Sequence, residues 1–323
     1  MTSSQRFKET MQFGCPDRVP YFEEGIRDDV LKAWRRQGLP RKTKLSDLFA
    51  ADPFEQILLD VDPIPEYKVW PSSVSELDEF KKRLNPEDPR RFPKTWKKQM
   101  QGWQKNDQVL FARVHRGFFL TMGVYKWQRF DELMSLVVEH PDFVKQMMKI
   151  QGEFSAELLD KMLNGIKIDA AIFSEPIGGN FGPLISPAMY EYFVLQSYKP
   201  LFEVLDRQGI ETVIFRTYAN ARLYIPVILK FGFNCLWACE TTIEQMDYRS
   251  IRREFGRDLR LIGGIDLDVL RLDKEAIRRE VEEKVPPLLA EGGYVPLADG
   301  RVRKDIPFEN YAYYRRLLET YTS

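Results

Sequence analysis

Residues 212–232, TVIFRTYANARLYIPVILKFG, contain one strand pattern followed by one helix pattern. The first part is a short apolar run suited to a buried strand, and it becomes polar at Arg216. The second part has apolar residues at helical spacing and ends at Gly232. A buried strand followed by an amphipathic helix is typical of a βα unit in a parallel sheet.

The same pattern occurs four more times in the second half of the chain, and three further strand patterns come before it. The strands are predicted at residues 18–24, 55–62, 108–115, 169–175, 212–218, 235–240, 259–266 and 294–299. Eight strands with helical crossovers predict an α/β fold, a (β/α)8 TIM barrel. We expect one domain over residues 1–323, with N-terminal helical additions. A doubly wound sheet is the alternative, although no Gly-rich phosphate loop follows the first strand.

The composition indicates a soluble globular protein, with 44% apolar and 30% charged residues. The 48 basic residues balance the 48 acidic residues, so the net charge gives no reason to expect binding to nucleic acid or to a membrane. No apolar run approaches the roughly 20 residues that span a bilayer. The polar N-terminus does not have the pattern of a signal peptide. We therefore predict a cytoplasmic protein.

The three cysteines give little support for a metal site. Cys235 and Cys239 have a C-x3-C spacing, but they lie in a strand pattern and Cys15 is distant in sequence. The two histidines, His115 and His140, are also far from this pair. Few ligands are therefore available for Cys/His zinc, and we interpret Cys235 and Cys239 as small apolar fillers.

Polar residues at the predicted strand ends mark the candidate site, because a (β/α)8 barrel carries its active site at the C-terminal ends of its strands. These residues are Glu23, Glu24, Asp60, Asp62, His115, Glu175, Arg216, Tyr218, Glu240, Asp266 and Asp299. Any single acid could instead cap the helix that follows its strand. A set of acids in one mouth is costly without a cationic partner, which favours a functional role for the group.

Four segments of the chain resemble the uroporphyrinogen decarboxylase superfamily. They are CPDRVPYF at residues 15–22, GGNFGPLISPAMYEYF at 178–193, LIGGID at 261–266 and GGYVPLADGRVRKDIPFENYAYYRRLL at 292–318. That superfamily contains the decarboxylases of haem synthesis and methyltransferases that supply corrinoid proteins. The resemblance implies a (β/α)8 barrel, in agreement with the strand count, and it makes a homodimer an expectation.

The chain departs from the decarboxylases of this superfamily at two places. The resemblance implies an arginine-rich segment after the first strand, but Glu23 and Glu24 stand there and only Arg27 is basic. The late histidine of the decarboxylases is also missing, because this region has Asp299 and Gly300. Decarboxylation of an eight-carboxylate tetrapyrrole is therefore not expected.

The chain also departs from the zinc-dependent methyltransferases. Their zinc ligands are a His-x-Cys pair after the fifth strand and a late cysteine. Here Arg216 and Tyr218 occupy the first two positions, and the third falls near Asp299. Cys/His zinc is therefore not expected. Whether the carboxylates bind a harder cation through oxygen is left open.

Arg216 has two possible roles at the barrel mouth. It could neutralise Glu175, Glu240 or Asp299. It could instead bind a carboxylate or phosphate of the substrate through its planar guanidinium.

The favoured hypothesis is an enzyme that moves a methyl group from a small oxygenated substrate, for example a methoxylated aromatic, to a corrinoid carried by a partner protein. The expected catalytic residues are Glu175, Tyr218 and Glu240. The expected substrate-binding residues are Arg216, Asp60, Asp266, Asp299 and His115. A divergent decarboxylase with Arg216 as its cation, and a barrel that binds a ligand without catalysis, are the alternatives.

Overall fold

The computed structural model describes residues 1–179, 181–239 and 246–322. The strands are β1 Phe54–Leu58, β2 Val109–His115, β3 Ala170–Glu175, β4 Gly178–Gly179, β5 Gly182–Pro183, β6 Thr212–Tyr218, β7 Cys235–Cys239, β8 Arg260–Ile265 and β9 Tyr294–Ala298. Seven of them form one sheet in the order β1-β2-β3-β6-β7-β8-β9, and every neighbouring pair is parallel. The short strands β4 and β5 form a separate antiparallel pair after β3.

Helices connect the strands and cover the outer face of the sheet, except the N-terminal helix, whose Phe7 and Met11 pack with Phe111 and Val295 on the other face. They are α1 Ser3–Met11, α2 Asp28–Arg36, α3 Leu77–Arg83, α4 Trp96–Lys105, α5 Phe118–Thr121, α6 Trp127–Glu139, α7 Pro141–Leu163, α8 Pro187–Tyr190, α9 Gln196–Arg207, α10 Ile225–Phe231, α11 Tyr248–Phe255, α12 Lys274–Glu291 and α13 Phe308–Thr322. Within the described residues, no helix is both long enough and apolar enough to span a bilayer.

The predicted strand at residues 18–24 is wrong, whereas the five strands predicted after residue 168 are confirmed. The first segment is extended but pairs with no strand of the sheet, and the bridge that follows it, between Ile26 and Val302, lies outside the strands. Tyr21 of this segment is hydrogen-bonded to Asp52 instead of to a strand. The Asp52 carboxylate accepts from the Tyr21 N–H at 2.8 Å. The Asp52 N–H in turn donates to the Tyr21 carbonyl at 2.9 Å. The sheet therefore has seven strands where the sequence predicts eight.

The seven-stranded sheet is curled. Phe54 on β1 and Trp237 on β7 lie four strands apart in the sheet order, yet their ring centroids are 6.1 Å apart. In a flat sheet, four spacings of about 4.8 Å would separate them by about 19 Å. Phe22 of the extended segment packs 5.0 Å from Phe54 and shares an interior cluster with Val295 of β9. The curl thus creates an enclosed interior lined by both edges of the sheet.

Alternation along the strands decides which side chains face this interior. On β6, Ile214 belongs to the interior cluster, whereas Val213 and Phe215 pack against the helices. Because successive side chains point to opposite faces, Arg216 faces the interior. The β3–β6 register places Ser174 opposite Arg216, so the next residue on β3, Glu175, faces the helices.

Candidate active site

A cavity of about 530 Å³ lies where the curled sheet opens at the C-terminal ends of its strands. We call it the arginine pocket, because three guanidinium groups and one carboxylate of the described residues line it. Its lining residues are Glu24, Phe54, Gln56, Leu58, Arg113, Arg216, Tyr218, Cys239, Gly300 and Arg301. Volumes of about 300–1,000 Å³ are usual for small-molecule sites. The pocket is therefore large enough for a small organic substrate.

Arg216 forms an ion pair with Glu24 inside the pocket. Its Nη2 donates to Glu24 Oε1 at 2.9 Å and to Oε2 at 2.8 Å, and Nη1 donates to Gln56 Oε1 at 3.4 Å. The guanidinium also lies 4.7 Å above the Trp237 ring, and the residue is 9% exposed. Burial is the largest influence on Arg216 and lowers its pKa, but the charge of Glu24 together with the nearby Cys239 and Tyr218 outweighs it, and the pKa is raised. The partner of Arg216 is thus Glu24, and not Glu175 or Asp299 as the sequence suggested.

Arg113 is the second cation of the pocket, and it differs from Arg216 in having no carboxylate partner in the described part of the chain. It lies on β2 and is half-buried. Burial lowers the pKa of Arg113, and the nearby charge of Arg216 lowers it further. Arg301 is exposed at the rim and likewise has no ion pair among the described residues. Among the described residues that line it, the pocket therefore has an excess of positive charge.

Tyr218 and Cys239 supply the remaining polar groups of interest. Tyr218 follows Arg216 by two residues and so faces the same side of the strand. Burial raises the pKa of Tyr218, which keeps its hydroxyl protonated at neutral pH. Cys239 Sγ lies 4.0 Å from Arg216 Nη2, and burial raises the pKa of this thiol to about 12. Both side chains are therefore protonated, and Tyr218 is the better hydrogen-bond donor of the two because a hydroxyl donates more strongly than a thiol.

These residues do not fit a Cys/His zinc site. Among the described residues, no group of three His, Cys, Asp or Glu side chains is placed to hold a metal ion. Cys239 is next to the Arg216 guanidinium, which would repel a dication. The buried thiol of Cys235 also has a pKa raised to about 12. We therefore assign no step of the chemistry to zinc.

Glu175 and His115 do not line the arginine pocket, so their predicted placement in the mouth is wrong. They lie behind the sheet, around Tyr198 of α9. The Tyr198 hydroxyl donates to Glu175 Oε1 and lies 3.0 Å from His115 Nδ1. The Phe118 N–H donates to Glu175 Oε2 at 3.2 Å. The strand register turns Glu175 outward, and an irregularity between Arg113 and His115 alters the alternation of β2.

Two side chains of this buried cluster have shifted pKa values. Burial raises the pKa of Glu175 to about 7 and lowers the pKa of His115 to about 3. The Gly117 N–H donates to His115 Nδ1 at 3.0 Å, which requires an unprotonated nitrogen there. The cluster thus holds the loop after β2 through the N–H groups of Gly117 and Phe118, on the helix side of the sheet.

The three predicted aspartates are also outside the lining of the arginine pocket. Asp60 lies 3.6 Å from the Arg91 guanidinium in the loop after β1. Asp266 caps the turn after β8, because its Oδ1 accepts from the Asp268 N–H at 2.8 Å. Asp299 accepts from the Leu267 N–H at 3.0 Å and so connects the loops after β8 and β9. Hydrogen bonds to loop N–H groups explain Asp266 and Asp299, and the ion pair with Arg91 explains Asp60, better than a shared mouth of acids does. Glu240 lies outside the described residues.

Among the pocket residues that the sequence did not identify, three carry a charge or an amide: Gln56, Arg113 and Arg301. Arg113 interrupts the apolar run of residues 108–115, and a charge inside a predicted buried strand is the signal that could have identified it. Gln56 gives a weaker signal of the same kind in the preceding strand, β1. Arg301 follows Asp299 and Gly300 in the last segment of the resemblance, but no periodicity distinguishes it. Glu24 was noted at the strand end without a site role.

Comparisons with known proteins place the chain in a family. The family model described as Uroporphyrinogen decarboxylase (URO-D) matches residues 120–316, which is more than half of the chain. A solved methyltransferase from Methanosarcina mazei is similar over 99% of both chains, with 14% identity and a TM-score of 0.64, and this shows a shared fold. An endo-beta-1,4-xylanase from Gloeophyllum trabeum matches 86% of this chain and 99% of its own, with 12% identity and a TM-score of 0.46. No curated protein matches. The chain belongs to the uroporphyrinogen decarboxylase family.

Proposed function

We propose that this protein is an enzyme that binds a small carboxylate-bearing substrate in the arginine pocket and transfers a methyl group from a substrate oxygen to a corrinoid carrier. The observation that supports it is the excess of guanidinium groups. Arg216 is already paired with Glu24, whereas Arg113 and Arg301 have no carboxylate partner in the described residues. A substrate anion would supply the missing negative charge.

Arg113 is the better anchor for that anion. A guanidinium presents donors in a planar fork that matches a carboxylate, and partial burial strengthens each charge-assisted hydrogen bond. Arg216 plays a different part, because Glu24, Gln56 and Trp237 hold it in one orientation. Phe54 and Leu58 add an apolar wall against which an aromatic ring could pack. A methoxylated aromatic carboxylate has both features.

Tyr218 is positioned to act as the general acid of the proposed transfer. When the bond between the methyl carbon and the substrate oxygen breaks, its electron pair goes to that oxygen. The Tyr218 hydroxyl gives up its proton there, and the guanidiniums of Arg113 and Arg216 stabilise the tyrosinate that forms. A corrinoid on a partner protein would supply the acceptor for the methyl group. The exposed Leu58 and Arg301 at the rim leave the pocket open to such a partner.

Decarboxylation is the second candidate, and the same charge excess supports it. Loss of carbon dioxide leaves an electron pair on the substrate carbon, and an adjacent guanidinium stabilises that charge. Arg216 would serve as this cation, and Tyr218 would return a proton to the carbon. A barrel that only binds its ligand is the third possibility.

Product analysis separates the three possibilities. The protein is incubated with a panel of methoxylated benzoates, with and without a reduced corrinoid, and the products are identified by mass spectrometry. We expect corrinoid-dependent loss of a methyl group and conversion of the methoxyl to a hydroxyl. Loss of carbon dioxide without corrinoid would establish the decarboxylase instead. Saturable binding of a benzoate without any turnover would establish the binding protein.

A further inference from the structure

We propose that a second cavity, separate from the arginine pocket, binds a small organic cation such as a methylated ammonium. This cavity has a volume of about 310 Å³ and is formed by the loops after β1 and β2. We call it the aromatic pocket, and the residues that carry the argument are Asp62, Glu66, Tyr67, Trp70, Arg116 and Tyr125. None of them lines the arginine pocket. The proposed site therefore does not depend on the proposed methyl transfer.

Three aromatic rings form a concave wall of the aromatic pocket. The Trp70 centroid lies 5.8 Å from that of Tyr67 and 6.1 Å from that of Tyr125, with interplanar angles of 40° and 47°. The Trp70 ring is fixed against Gly123, where an added Cβ would lie 2.2 Å from the ring. All three rings line the cavity, and the electron-rich faces of aromatic rings attract cations.

The chain itself already uses two of these rings to hold cations. The Arg83 guanidinium lies 4.0 Å from the Tyr67 centroid, and the Arg116 guanidinium lies 5.7 Å from the Tyr125 centroid. Within the described residues, no guanidinium or ammonium lies over Trp70. Since indole is the strongest of the aromatic partners for a cation, the ring with the greatest attraction is the one left for a ligand.

The charges around the aromatic pocket favour a cation over a neutral or anionic ligand. The Asp62 carboxylate forms an ion pair with Arg116, so these two charges cancel. Glu66 is exposed and has no ion pair in the described part of the chain, which leaves one negative charge. The Tyr67 hydroxyl oxygen is buried and has no hydrogen-bond partner among the described residues. A cation with a polar group would meet both requirements, whereas an uncharged sugar would leave Glu66 uncompensated.

Calorimetric titration with choline tests the proposal. The matched control ligand is 3,3-dimethyl-1-butanol, which has the same shape but replaces the charged nitrogen with carbon. We expect one choline site and binding of the neutral analogue that is weaker by roughly tenfold or more. Trp70→Leu should weaken choline binding by roughly tenfold. Glu66→Gln changes an exposed residue without threatening the fold, and it should weaken binding several-fold and reduce its dependence on salt.

Two control variants test whether a loss of choline binding is specific to changes in the aromatic pocket. Trp127→Leu alters a tryptophan that is 81% exposed and does not line the aromatic pocket, so choline binding should be unchanged. Arg113→Met should also leave it unchanged, which separates this site from the proposed active site. The proposal is overturned by absence of saturable choline binding up to about 10 mM. It is equally overturned by equal binding of the neutral analogue, by binding of xylose in place of choline, or by unchanged affinity in folded Trp70→Leu.

Discussion

Arg216 on β6 and Glu24 on the extended N-terminal segment are 192 residues apart in sequence, yet Nη2 of one lies 2.8 Å from Oε2 of the other. The Arg216 and Glu24 side chains are 10% and 6% exposed. The pair joins the segment that was predicted as a strand to the centre of the curled sheet. The charge of Arg216 is therefore already compensated before any substrate enters. This changes which arginine is expected to anchor an anion.

The first prediction concerns the stability supplied by this pair. Arg216→Met strands the Glu24 carboxylate in a buried position, and we expect a loss of about 3–5 kcal/mol in the free energy of unfolding at pH 8. The loss should shrink at pH 5, where proton uptake relieves the stranded charge. Chemical denaturation at both pH values measures this. The double variant with Glu24→Gln should recover part of the stability, because no unpaired charge remains. Wild-type stability of Arg216→Met at pH 8 would contradict the buried ion pair.

The second prediction assigns anion binding to Arg113. Arg113→Met should unfold at nearly the same denaturant concentration as wild type, because it breaks no ion pair among the described residues. It should weaken the binding of a benzoate by about 1.5–3 kcal/mol, the value of a hydrogen bond to a charged group. Calorimetry with a benzoate and with its neutral amide provides the comparison. If Arg113→Met binds the benzoate as tightly as wild type, the anchor is another residue, and Arg301→Met becomes the next variant.

The third prediction concerns the pH dependence caused by Glu175. Burial raises the pKa of Glu175 from 4.5 to about 7 in the folded protein. Between these values the folded state keeps a proton that the unfolded state releases. The stability from this group is therefore complete below about pH 4.5 and is lost as pH rises through about 7, by roughly 3 kcal/mol in total.

Glu175→Gln keeps the volume of the side chain and removes this titration. The fall in stability between about pH 5 and pH 7.5 should therefore be smaller in the variant than in wild type. Glu153→Gln is a suitable control, because it replaces a partly exposed glutamate on α7. Unfolding free energies at several pH values provide the test, and parallel curves for wild type and Glu175→Gln would argue against it.

The local pattern of the sequence was sufficient for most of the fold but not for the register of its side chains. Each βα unit after residue 168 carries its own strand and helix pattern, so it can be predicted without knowledge of its neighbours. The segment at residues 18–24 has a strand pattern as well, but the backbone N–H and carbonyl of Tyr21 are hydrogen-bonded to Asp52. That contact is non-local, and nothing in the strand pattern indicates it.

The placement of the site residues also depends on the register of the strands, which the local sequence pattern does not give. The prediction put Glu175 and Arg216 in one mouth, but alternation from the paired Ser174 turns Glu175 to the helix side. A shift of one residue is enough to move a side chain from the pocket to the opposite face. The irregularity in β2 has this effect between Arg113 and His115. His115 is consequently turned to the helix side, whereas Arg113 keeps the interior face of Phe111 and lines the pocket.

The last prediction tests the role of Tyr218 as the general acid. Tyr218→Phe removes the hydroxyl and keeps the ring, so benzoate affinity and unfolding free energy should stay near their wild-type values. The turnover number should fall by about 10²–10⁴-fold, the usual contribution of a positioned acid. Tyr192→Phe, at an exposed tyrosine outside the pocket, is the matched control. Because burial raises the pKa of Tyr218, wild-type turnover should not decline between about pH 7 and pH 9 from loss of this proton. Unchanged turnover in Tyr218→Phe would assign the proton to another group, whereas a fall in affinity with constant turnover would make Tyr218 a binding residue only.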